Sequence, residues 1–174
     1  LIALVTVALS FFFDEISSFV ARPLVLRANP SNGLMMPDVH DRYRQYLETL
    51  SLETLTSFSD YVRPDVQFKD PFNDVCGASA MVKVFRDLFE NVGNVAFRVD
   101  HMASDQNICL MAWHFQATLR GRPWKFSGTS IITFAPDGRV EKHVDHWDAA
   151  GDFYKYFPII GWLLEKLRHR VAHH

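Results

Sequence analysis

The sequence predicts an α+β fold: a curved antiparallel or mixed sheet with helices packed on its concave face, forming a cone-shaped roll. Three observations predict it. Helical periodicity dominates from Pro37 to Glu90, strand alternation dominates from Val95 to Asp148, and turn signals separate the strands closely enough for hairpins. Helices and strands segregated in this way build a sheet covered on one face rather than a doubly covered parallel sheet.

Asp38 is placed to cap a helix whose apolar positions Val39, Tyr43, Tyr46, Leu47 and Leu50 recur at helical spacing. Ser51 caps a second, shorter helix carrying Leu52, Leu55 and Phe58. Val66 to Asp70 reads as a short strand that ends on an Asp-Pro step. Ser79 to Glu90 is helical, with Met81, Val82, Phe85, Leu88 and Phe89 on one broad face. The period then switches to alternation. Val95, Phe97, Val99 and His101 alternate with Ala96, Arg98 and Asp100. Ile108 to Leu119 is the second long strand, and Arg120-Gly121-Arg122 turns the chain. Trp124 to Phe134 is the third, with Trp124, Phe126, Gly128, Ser130, Ile132 and Phe134 on one face. Gly128 in mid-strand reads as a bend. Pro136-Asp137-Gly138 is a hairpin signal, and Val140 to Asp148 is the fourth strand. A helical region follows from Ala149 and restarts at Pro158.

The chain of 174 residues is 48% apolar, with 15 Phe, which supports one sizeable core. Residues 37–174 are assigned to a single domain with a C-terminal helical tail. Residues 1–36 are assigned to an N-terminal extension outside the fold, ending in the linker-like run Ala28-Asn29-Pro30-Ser31-Asn32-Gly33. The apolar run Leu1 to Phe13 is shorter than the about 20 residues of a membrane span and has no basic leading region. A cytoplasmic location is expected. If that run acts as a signal or anchor, the protein is instead exported or membrane-associated. A net charge of −2 provides no basic field for nucleic acid. Cys76 and Cys109 lack metal-type or redox-type spacing. His101, His114, His143 and His146 contain no helical His-x-x-x-His pair, so neither metal nor cofactor is expected.

Two acids on distant strands are the leading candidates for chemistry. Asp70 closes its strand before Pro71, and Asp145 lies in His143-Val144-Asp145-His146-Trp147-Asp148. Asp70 reads as a general base in an apolar pocket, or as a turn residue accepting nearby amides. His143 and Asp145 share a strand face with Trp147, either lining a hollow or forming a solvent-facing row with Val140 and Val144 inward. Tyr46 reads as a donor to a ligand oxygen or as simple packing. Phe68, Trp113, Trp124, Phe126 and Trp147 read as pocket walls or as plain core. Asp148 is expected to cap the helix that begins at Ala149.

Taken together, Phe68-x-Asp70-Pro71, Gly128-x-Ser130 with Phe134, Asp137-Gly138-Arg139-Val140 and His143-x-Asp145-x-Trp147-Asp148 resemble the nuclear transport factor 2-like superfamily. The resemblance runs from Pro37 to Asp148, and it is greatest to SnoaL-like domains without an established reaction. Tyr46 and Asp70 match the helix tyrosine and the acid of ketosteroid isomerases. Those enzymes carry a protonated acid where this chain has Ser130, a weaker donor, so the resemblance argues against steroid isomerisation. Asp145 matches the last-strand acid of limonene-epoxide hydrolases, yet Met111-Ala112-Trp113-His114-Phe115 lacks their Arg-x-Asp pair. In SnoaL-like cyclases a last-strand acid is the base, which implies Asp145, with His114 as its helper and part of the lining.

The resulting expectation is a cofactor-free pocket protein for a small apolar carbonyl compound. It would work by acid–base proton transfer as an isomerase, cyclase or hydrolase. Asp70 or Asp145 would take the proton, while Tyr46, Ser130 and His143 would stabilise the oxyanion. The alternative is a non-catalytic ligand-binding or protein-interaction module. A homodimer is expected. The apolar tail from Phe157 to Leu167, ending in Arg168-His169-Arg170, is expected to form a lid or a dimer contact rather than an interfacial membrane helix.

Overall fold

A computed structural model describes residues 38–171. The assignment of residues 1–36 to an extension lies outside the described residues, as do Pro37 and the C-terminal residues 172–174. Helix α1 (Val39–Glu48) starts where expected: the Asp38 side chain accepts from the His40 amide. Tyr43, Tyr46 and Leu47 point inward and are buried. Arg44 bridges Asp41 and Glu48 on the outer side. The next segment, Thr54–Asp60, is a 3-10 helix rather than an α-helix. Its hydroxyls explain this: Thr56 donates to the Glu53 carbonyl and Ser57 to the Thr54 carbonyl, competing with regular helix bonds. Leu55 and Phe58 are still buried, as the apolar spacing required.

Strand β1 (Val62–Lys69) turns back through Asp70–Asn73 into the short β2 (Asp74–Cys76). Three residues are too few to show alternation, so β2 was not legible in the sequence. Helix α2 (Ala78–Asn91) follows, then β3 (Gly93–Asp105), β4 (Ile108–Leu119), β5 (Arg122–Phe134) and β6 (Val140–Trp147). The β4–β5 hairpin closes through Arg120 and Gly121, both at positive φ, which suits the right-handed twist of the pair. The six strands form one open sheet in the order β2-β1-β6-β5-β4-β3. It is mixed: β1 runs parallel to β6, and all other pairs are antiparallel.

Two bulges decide which side chains face the helices. In β3, Val99 pairs with Trp113 and His101 with Ala112, so Asp100 is extra. The alternation reverses there, and His101 leaves the inward row of Val95, Phe97 and Val99 and is exposed. In β6, Val140 pairs with Phe134 and Lys142 with Thr133, so Glu141 is extra. Val140 and His143 are therefore both buried, which strict alternation forbids. Gly128 has a steric role. A Cβ on it would stand 2.4 Å from the Trp113 ring, its partner on β4. After β6 come α3 (Ala149–Asp152), a 3-10 turn (Tyr154–Tyr156) and α4 (Pro158–Val171). Asp148 caps α3 by accepting from Gly151 N, and the Trp124 indole N–H ties α3 to the sheet through the Asp152 carbonyl.

The core lies between the inner sheet face and helices α1 and α2. Tyr43, Phe58, Phe68, Met81, Met111 and Ile132 are its largest fully enclosed side chains. Each such side chain contributes about 1.5–3 kcal/mol on transfer from water.

Candidate active site

The inner sheet face and the helices leave a cavity of about 380 Å³ between them. That is within the range of small-molecule sites. Its walls are mostly apolar: Leu47 from α1, Phe85 and Leu88 from α2, Phe68 from β1 and Phe97 from β3. Trp113, Phe115, Trp124, Phe126 and Trp147 complete them from β4, β5 and β6. Phe126 stacks on Trp147 at 4.4 Å, and Phe72 closes on Trp147 edge-on at 5.0 Å. Among the polar groups in this wall are Asp145, Asp70, His143 and Asn73.

Asp145 stands at the centre of a hydrogen-bonded chain. Burial raises the Tyr43 hydroxyl well above the ordinary tyrosine value, and the charge of Asp145 adds to this. Tyr43 therefore keeps its proton, and its hydroxyl lies in hydrogen-bond contact with His143 Nδ1 at 3.0 Å. On the other side of the ring Nε2 lies 2.8 Å from Asp145 Oδ1, and because a carboxylate only accepts, Nε2 donates there. Ser130 donates to the same oxygen at 2.5 Å and accepts from Trp113 Nε1 at 2.8 Å. Two donors thus hold Oδ1, and among the described residues Oδ2 accepts no hydrogen bond. The Asp145 side chain is 18% exposed, whereas that of His143 is 3% exposed. Asp145 thus brings to the mostly apolar wall a carboxylate with one oxygen that is unpartnered among the described residues.

Asp70 lines the same cavity but is differently engaged. Its Oδ1 accepts from the amides of Phe72 and Asn73, both at 2.6 Å, and the Asn73 side-chain amide donates to both of its oxygens at 3.0 Å. This is the turn-forming arrangement, with the carboxylate occupied by the loop it shapes. Asp70 and Asp145 do meet at one hollow, and of these two only Asp145 has an oxygen without a hydrogen-bond partner among the described residues.

Four expectations need correction. Tyr46 does not reach the cavity: its hydroxyl donates to the Thr54 carbonyl at 2.9 Å and its ring stacks on Tyr61 at 3.9 Å. Burial pushes it up to about 12. Tyr43, one turn earlier on the same helix face, takes the polar role, and nothing in the local sequence separates the two. Ser130 and His143 aim their protons at Asp145, so neither is free to stabilise an oxyanion. His114 faces the opposite side of the sheet, where Nε2 meets Asp100 at 2.8 Å and Ser127 lies 2.7 Å from Nδ1. Strand alternation forces this, because the neighbouring Trp113 and Phe115 point inward. Finally, no residue of α4 lines the cavity, so the tail is not its lid. Phe68, Phe72, Trp113, Trp124, Phe126 and Trp147 all contribute to the wall, as do Phe85, Leu88 and Phe97, which the sequence had not marked as lining. No group of three or more His, Cys, Asp or Glu able to hold a metal occurs among the described residues.

The sequence pattern of the SnoaL-like domain matches residues 43–143 of this chain. No curated protein matches it. Among solved structures, a nuclear transport factor 2-like protein of unknown function from Burkholderia pseudomallei is similar over 67% of this chain and 95% of its own, with 17% identity and a TM-score of 0.60. A SnoaL-like polyketide cyclase from Agrobacterium tumefaciens covers 65% of this chain and 93% of its own, at 18% identity and a TM-score of 0.56. An LEH-like epoxide hydrolase from M. tuberculosis covers 77% and 96%, at 16% identity and a TM-score of 0.58. At such identities these likenesses speak for the fold alone. The family pattern spans more than half of the chain, from the tyrosine that begins the hydrogen-bonded chain to the histidine beside Asp145, and the protein belongs to the SnoaL-like domain family.

Proposed function

We propose that the cavity binds a small apolar carbonyl compound and that Asp145 moves a proton on it without a cofactor. The observation that carries this reading is the asymmetry of the Asp145 carboxylate. Oδ1 is held by Ser130 and His143, while Oδ2, on a residue that lines the cavity, accepts no hydrogen bond among the described residues. In the proposed step, Oδ2 takes a proton from the carbon next to the carbonyl. The C–H electron pair passes into an enolate, and the resulting carboxylic acid returns the proton to carbon or oxygen of the product. Asp145 is the catalytic residue. His143, Ser130, Tyr43 and Trp113 are positioning residues that fix the plane of the carboxylate. The apolar walls select a ring or chain with few polar groups, and a cavity of about 380 Å³ limits its size. Isomerisation and cyclisation begin with such a transfer, whereas in water activation the same oxygen takes its proton from water, whose oxygen then attacks the substrate. Relatives in fold that are described as a polyketide cyclase and an epoxide hydrolase are consistent with this class of chemistry.

The test is deuterium exchange at the acidic carbon of cyclic β-diketones and β-keto esters, followed by proton NMR in heavy water. The native protein is expected to accelerate exchange in at least one probe, and Asp145→Asn to slow it by about 100-fold or more, the usual scale of a general base. Exchange that proceeds as fast in Asp145→Asn as in the native protein would remove Asp145 from the chemistry.

A further inference from the structure

We propose that helix α4 is an amphipathic docking element that seats the protein on an anionic lipid bilayer. This goes beyond the reading of the cavity and does not depend on it. From Pro158 to Arg170 only Gly161 and Leu164 are half-buried, and every other position is exposed. These two positions lie three apart, on one side of the helix, and Gly161 lies against the Lys155 backbone. Arg168, a further turn along that side, pairs with Asp148 at 3.0 Å. The helix is therefore attached along the side of Gly161, Leu164 and Arg168. Its opposite side presents Ile159, Trp162 and Leu163, which are 83%, 63% and 51% exposed, together with half-exposed Leu167. A soluble surface helix normally has the reverse arrangement, with its apolar stripe inward.

Charge and area select the occupant. The helix carries Lys166, Arg168 and Arg170 against Glu165, while the whole chain carries −2. Lys166 lies 4.9 Å from the centre of the Trp162 ring, which puts a cation beside the most exposed tryptophan. Apolar groups, an indole and the cations Lys166 and Arg170 on one face are the features that hold a helix in the headgroup region of an anionic membrane, while Arg168 is engaged by Asp148 on the other side. A second copy is a poorer fit. A strip of 14 residues is about 21 Å long and about 10 Å wide, roughly 200 Å², against the about 800 Å² that each partner buries in a stable pair. At that length α4 cannot cross a hydrocarbon core of about 30 Å, and no described helix is long and apolar enough to do so. The helix is also continuous with the cavity rim: Phe72 packs on Phe153 at 4.9 Å, and Phe153 on Phe157 at 5.3 Å, directly before α4.

The experiment is flotation of the full chain with vesicles of phosphatidylcholine alone and of phosphatidylcholine mixed with phosphatidylglycerol. Binding is expected to the mixed vesicles, to fall as salt is raised, and to weaken by at least about 10-fold in Leu163→Glu. Leu163 points away from the body, so thermal unfolding of that variant should match the native protein. In parallel, the mixed vesicles should shift tryptophan fluorescence to the blue, and Trp162→Phe should abolish most of the shift. The proposal is overturned if the native chain floats with neither vesicle, or if Leu163→Glu binds as well as the native chain. It is equally overturned if Leu163→Glu instead dissociates a dimer in sedimentation and lipid has no effect, because the occupant is then a second copy.

Discussion

Gly128→Ala tests how the sheet supports the site. The new methyl group would lie 2.4 Å from Trp113 Cη2, 2.5 Å from Cζ2 and 2.8 Å from the His146 carbonyl oxygen. Carbon atoms rest at about 3.5–4.0 Å, so the indole must retreat by about 1 Å or the strands must part. Trp113 is 4% exposed and wedged against Phe97 at 5.1 Å and Phe126 at 5.9 Å, so it has little room to do so. Overpacking of this kind costs about 1–3 kcal/mol. Displacing the ring also weakens the bond from Trp113 Nε1 to Ser130, worth about 1 kcal/mol. Relief of the entropic penalty of a strand glycine returns roughly 0.5–1 kcal/mol. The net expectation is a loss of about 1–3 kcal/mol in urea unfolding. In a Trp113→Phe background the clashing ring atoms are gone, and the cost should fall by at least about 1 kcal/mol, a coupling visible in a double-mutant cycle. A Gly128→Ala protein as stable as the native one would refute the steric account. So would strictly additive effects of the two substitutions.

Alkaline pH should destabilise the fold through its buried tyrosines. Folding raises Tyr43 well above 10.0 and Tyr46 to about 12, mainly by burial. The unfolded chain releases these protons first, so stability is unchanged by them below pH 10.0 and falls as pH climbs toward 12. Tyr46→Phe should flatten that fall in urea midpoints measured against pH, and an unchanged slope would count against it. The two cysteines should differ in reactivity. Cys76 is exposed, whereas Cys109 is buried and pushed up to about 12 by that burial, so a thiol reagent should titrate one equivalent in the native protein and the second only after unfolding.

Much of the fold was legible because it depends on local periodicity. Alternating apolar residues on the long strands, the Asp38 and Asp148 caps and the Asp137-Gly138 turn all encode their elements within a few residues. The aromatic walls followed from the same alternation, since Trp124 and Phe126 must share a face with Ser130. What failed was whatever depends on counting across an irregularity. A single extra residue at Asp100 removed His101 from the inward row, and another at Glu141 put Val140 and His143 on the same side. Nothing in the local pattern announces either bulge.

By itself the sequence determined the α+β class and the order of its long elements, and it singled out Asp70 and Asp145 as candidates for one apolar hollow. Tertiary structure alone decided that Asp70 is taken up by its own turn and that Tyr43, not Tyr46, completes the chain to His143. It also decided that Ser130 serves Asp145 rather than a ligand, and that the apolar side of α4 faces outward. The physical reason is range. Side-chain period is a property of neighbours along the chain, whereas the partner of a buried donor is set by whichever strand or helix packs against it, here Tyr43 and His143, one hundred residues apart.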